Sequence, residues 1–68
     1  MISTKKHFEE FKNEFEEKAV KTFNGLEDAA NYFAKEYNVS IKEAKNRIEN
    51  DTNADWIVCP NGKVYVMY

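Results

Sequence analysis

Two apolar runs, Trp56-Ile57-Val58-Cys59 and Val64-Tyr65-Val66-Met67-Tyr68, flank Pro60-Asn61-Gly62-Lys63, and no other segment constrains the fold as much. Asn-Gly between β-branched and aromatic residues predicts a hairpin, because both residues accept the positive φ angles of a two-residue type I′ turn. Such a loop pairs Cys59 with Val64, Val58 with Tyr65, Ile57 with Val66 and Trp56 with Met67. Strand alternation then puts Ile57, Cys59, Val64, Val66 and Tyr68 on one face and Trp56, Val58, Tyr65 and Met67 on the other. Both faces are apolar. One helical layer therefore does not satisfy this hairpin: its second face is exposed or meets another chain, or else the hairpin wedges between helices or a bulge breaks the register, and both faces are core. Trp, Tyr and Met are enriched at interface cores, so the Trp56/Val58/Tyr65/Met67 face is expected to point outward as a protein interface. Strand addition offers a second route to association, since a hairpin leaves two open edges and Lys63 is its one obvious gatekeeper. Whether Met1 to Thr4 adds a third strand is left open.

Upstream, the apolar period changes from two to that of a helix. From Thr4 to Phe23, Phe8, Phe11, Phe15, Ala19 and Phe23 form one stripe, which predicts a first helix over that span. Its remaining surface carries Glu9, Glu10, Glu14, Glu16 and Glu17 among lysines. Glu14 with Lys18 and Glu17 with Lys21 stand four apart in the favourable order, the pattern of a solvated face. Asn24-Gly25 is expected to stop this helix, and Asn24 to cap the next, with Glu27 three residues on. The second helix, about Leu26 to Tyr37, presents Leu26, Ala29, Ala30, Phe33 and Tyr37, and is expected to pack on the first. A third begins at Ser40, with Glu43 completing a capping box and Val39 stapling onto Ala44, and runs to about Asn50. Its narrow stripe of Ile41, Ala44 and Ile48 predicts a surface helix, followed by a loop at Asp51-Thr52-Asn53.

Sixty-eight residues allow one domain with little room for a large substrate pocket beside its core. Cys59 and His7 are each the only residue of their type, which excludes an internal disulfide and a structural zinc site, and no cofactor is expected. No Gly-rich phosphate loop or catalytic His/Cys spacing occurs, so the protein is not expected to be an enzyme. No apolar run approaches the roughly 18 residues of a membrane span, and Met1 to His7 has no apolar stretch behind its charges. A cytoplasmic protein that binds neither membrane nor small-molecule substrate is expected. The net charge of -2 provides no global basic field for nucleic acid. Abundant Lys, Asn, Phe, Tyr and Ile are the amino acids of A+T-rich codons, which associates the chain with a phage or mobile-element accessory or inhibitor protein.

Helices two and three, joined by Asn38-Val39-Ser40, resemble the helix-turn-helix motif of DNA-binding proteins. Ala34 falls where that motif has a small residue and Val39 where it has an apolar turn residue, while Asn38 replaces its usual Gly. Three helices followed by a hairpin also resemble a winged helix. That resemblance implies that helix 41–50 reads DNA through Lys42, Lys45, Asn46 and Arg47, with Lys63 on the wing. Glu43 and Glu49 on the same helix oppose such a role.

The sequence thus predicts an α+β domain over 1–68, three amphipathic helices and a C-terminal β-hairpin. Phe8, Phe11, Phe15, Leu26, Ala30, Phe33, Ile41, Ile48, Ile57 and Val66 are its expected core. The expected function is a small protein-interaction module, self-associating through the Trp56/Val58/Tyr65/Met67 face, with a DNA-binding regulator as the alternative.

Overall fold

A computed structural model describes residues 2–50 and 55–67. The expected loop at Asp51-Thr52-Asn53 and the expected places of Met1 and Tyr68 lie outside the described residues. The element order is α1 (Lys5–Lys18), β1 (Lys21–Phe23), α2 (Leu26–Tyr37), α3 (Ile41–Asn50), β2 (Trp56–Val58) and β3 (Val64–Val66). The α+β arrangement of three helices and a C-terminal hairpin is present, and β1 joins the hairpin to make an antiparallel sheet of order β1-β3-β2.

The first helix is shorter than its apolar stripe predicts. Thr4 caps it by accepting the His7 N–H, and it ends at Lys18, with Ala19 already extended. The β-branched and aromatic residues Val20, Thr22 and Phe23 suit a pleated strand better than a helix end. As a strand, β1 pairs Phe23 with Val64 and turns its ring onto Trp56, stacked at 5.7 Å and 9°. Asn24-Gly25 therefore links a strand to a helix and terminates no helix. Gly25, not Asn24, is the N-cap of α2, and it offers no side-chain bond.

The hairpin register differs from the expected one by a residue. Val58 pairs with Val64, Ile57 with Tyr65 and Trp56 with Val66. Pro60, whose ring presets φ near -65°, starts the turn, and the Gly62 N–H closes it on the Cys59 carbonyl at 2.9 Å. Gly62 alone in this turn has positive φ, +89°, and Cys59 donates to the Lys63 carbonyl across it. A type I′ turn would need Asn61 at positive φ too. The loop is thus a type I turn with a glycine bulge, one residue longer on the Cys59 side.

That slip exchanges the faces of β3 relative to β2. Trp56, Val58, Val64 and Val66 face α2 and α3, where they share a core with Phe33, Ile48 and the alanines 29, 30, 34 and 44. The four alanines let the two helices approach closely. Ile57, Cys59 and Tyr65 face the other way, under Phe15 of α1. The sheet is therefore wedged between helical layers, and α1 lies across it from α2, on which it was expected to pack. Of the expected core, Phe8 and Leu26 are half-buried, whereas Phe11 and Ile41 are exposed, and Trp56 and Tyr65 take their place at the centre.

Ser40 caps α3 as predicted, accepting the Glu43 N–H at 3.1 Å. The N-terminal segment adds one parallel bridge, Ile2 to Val58, with the Ser3 N–H donating to the Val58 carbonyl at 2.8 Å. Since nothing lies within 4 Å of a Cβ placed on Gly62, Gly62→Ala tests the turn by backbone strain alone. It is expected to cost about 1–2 kcal/mol, read as a lower urea midpoint at unchanged slope.

Candidate interaction surfaces

The four residues expected to form one outward face do not share a face. Trp56 is 2% exposed, stacked on Phe23 and met edge-on by Phe33 at 5.3 Å and 78°. Tyr65 is 1% exposed on the opposite side, its ring 6.0 Å from that of Phe15. Val58 and Met67 are half-buried, one in each cluster. The one-residue slip accounts for this division, because it turns Tyr65 and Met67 away from Trp56 and Val58.

The residues of the DNA-binding alternative lie on α3 and on the hairpin turn. Lys45 pairs with Glu27 of α2 at 2.8 Å, and Arg47 with Glu43 at 3.2 Å. Asn46 accepts from the Asn50 amide through both its backbone and side-chain oxygens. Lys42 and Lys63 are exposed. Carboxylates thus offset much of the helix's positive charge, although exposed pairs are each worth about 0–1 kcal/mol and exchange readily. The turn before α3 does have helix-turn-helix character. Asn38 adopts φ 54° and ψ 51°, the left-handed conformation for which the motif uses Gly, and its N–H and that of Val39 both close on the Ala34 carbonyl. Asn tolerates that region better than most residues.

β1, which lies where the apolar spacing predicts helix, creates a further surface. The Cys59 and Met67 N–H groups donate to the Lys63 and Asp55 carbonyls, so Lys63, Tyr65 and Met67 turn their polar backbone groups toward β2. Val64 and Val66 then bond across to β1 at Phe23 and Lys21, which leaves the Thr22 N–H and C=O pointing out of the sheet. The two edges differ. Ser3 occupies the β2 edge at Val58, whereas no described residue bonds the outer edge of β1. A lysine on an edge strand usually repels a second strand. Here the Lys21 ammonium lies 4.3 Å from the centre of the Tyr32 ring, drawn toward α2. Val20, 63% exposed, adjoins the strand. The run Val20 to Phe23 was the available signal for this edge, and the helical spacing of Ala19 and Phe23 concealed it.

The His7 ring is tilted 39° against Phe11 at 4.8 Å and stacks on Phe15 at 5.9 Å. Cys59 is buried, and burial pushes its thiol up to about 11. Among the described residues, no three His, Cys, Asp or Glu side chains gather as a metal site requires. No described helix is long and apolar enough to cross a membrane. The chain matches no protein-family model, no curated protein and no solved structure.

Burial of the aromatic pair sets the outcome of mutation. Trp56→Ala is expected to cost about 3–5 kcal/mol, and Tyr65→Glu to place a charge in the core, so both variants should lose helical circular dichroism. Cys59 also carries a pH dependence. Its thiol holds its proton to about 11 in the fold but releases it near its ordinary 9.0 once unfolded. Proton release favours the unfolded chain as pH rises, so this contribution is level below about 9 and declines between the two values. The difference in urea midpoint between the wild type and Cys59→Ala should shift against the wild type across that window.

Proposed function

We propose that the chain is a small, non-enzymatic protein-interaction module of the cytoplasm that self-associates by strand addition along the outer edge of β1. The backbone groups of Thr22, which no described residue bonds, carry this reading, together with the contrast between that edge and the occupied β2 edge. A second copy supplies a strand of identical chemistry by a two-fold rotation, so one edge meets its own complement. Side chains select the register. A two-fold axis at Thr22 sets Lys21 of one copy opposite Phe23 of the other, whereas an axis at Lys21 would set two lysines face to face. The result is a six-stranded sheet built from two three-stranded ones. So short a strand implies a weak, reversible dimer.

Thr22→Pro tests this directly. It removes an N–H that points away from the sheet, so the internal ladder keeps its bonds. Sedimentation equilibrium should show a concentration-dependent dimer for the wild type and a monomer with unchanged circular dichroism for the variant. A wild type that remains monomeric at millimolar concentration overturns the proposal.

A second reading, a DNA-binding regulator that uses helix 41–50, is favoured by the left-handed Asn38 turn and the capped α3. It predicts binding to a mixed-sequence duplex that weakens steeply with salt, and weakens further in Lys42→Glu. Absence of binding at low salt removes it.

A further inference from the structure

We propose that α1 is a strap that lifts from the sheet as a unit, while β1, α2, α3, β2 and β3 keep their packing, and uncovers the face carrying Ile57, Cys59 and Tyr65. The division of the core supplies the first ground. The larger cluster, centred on Phe33, Ile48, Trp56, Val64 and Val66, contains no residue of α1. Its packing therefore survives the departure of that helix. The second ground is how little holds α1 down. Phe15 is its one buried residue, assisted by half-buried Phe8, while Phe11 on the same stripe is 38% exposed. Among the described residues no hydrogen bond or ion pair joins the side chains of α1 to the sheet, and the Lys18–Glu14 bridge stays within the helix.

The third ground lies beneath the strap. Among the described residues the Tyr65 hydroxyl, buried there, has no hydrogen-bond partner. No protein group rewards the burial of this hydroxyl, so it adds no hydrogen bond within the chain that would hold the strap closed. The fourth is the tethering of both ends. Ser3 bonds to Val58 on one edge of the sheet and Val20 to the Val66 carbonyl in β3. The helix can leave the face and return without its flanks leaving the sheet. Cys59, sealed under Phe15 when the strap is closed, reports each opening.

The test measures the rate at which a thiol-specific maleimide modifies Cys59 in the intact chain, as urea is raised through the range below unfolding. Strap opening predicts labelling with a urea dependence much shallower than that of global unfolding, because only one helix exposes its surface. Labelling that follows the global urea slope overturns the proposal. Two variants separate strap opening from fraying of the adjacent hairpin turn. Phe15→Leu, a mild change in the helix, should speed labelling on the order of tenfold, and Ile48→Val, in the larger cluster, should leave it within about twofold at zero urea. A rate unmoved by Phe15→Leu overturns the strap in favour of the turn, and equal acceleration by the two variants overturns it in favour of global unfolding.

Discussion

Everything above and below the sheet depends on the register that the Cys59-to-Lys63 loop imposes. Pro60 and Gly62 together demand a type I turn closed by a left-handed glycine, and that turn sets Val58 against Val64. Trp56 and the two valines of β3 then point together toward α2 and α3, and Ile57 and Tyr65 together toward α1. A two-residue turn on the same sequence would divide the largest ring from the valines that flank it. The aromatic stack of Phe23, Trp56 and Tyr32 exists only in the observed register.

Two layers on a three-stranded sheet resolve the difficulty raised by two apolar faces, but unequally. The α2–α3 layer is built on alanines that let backbones close in, with Phe33 and Ile48 filling the centre. The α1 layer rests on Phe15, with Phe8 half-buried beside it. The same small molecule therefore has a firm side and a loose side, and large apolar residues are exposed on both. Ile2, Phe11 and Val20 lie on or beside α1, and Tyr37 and Ile41 flank the α2–α3 turn.

The elements most legible in the sequence were those with explicit chain punctuation. Ser40 with Glu43, and the run from Leu26 to Tyr37, predict their helices to within a residue. β1 was hidden because Ala19 and Phe23 continue the spacing of Phe15, and a three-residue strand leaves no period of its own. Its formation depends on β3, 43 positions away at the Thr22–Tyr65 pair, which no local window contains. The register differs from the expected one because Asn-Gly is a strong signal for one turn and Pro60 a quieter signal for another. The expected interface follows from the expected register, and in the observed one Trp56 and Tyr65 are buried, and Val58 and Met67 half-buried, on two different faces. Lys42, Lys45, Asn46 and Arg47 do share a helix as expected, but the pairing of Lys45 with Glu27, Arg47 with Glu43 and Asn46 with Asn50 involves partners that the charge pattern alone does not assign.

The sheet order also governs when structure can form as the chain is made. β3 is the middle strand, yet it is the last element in chain order, and β1 and β2 each join the sheet by pairing with it. α2 and α3 can pack as soon as both exist, through contacts a few turns apart. β1 must wait, unpaired, until more than forty further residues have followed it. Long-range pairing of this kind closes large loops and is slow relative to helix formation. The helical pair thus stands ready as a template, and the arrival of one late strand completes both faces together.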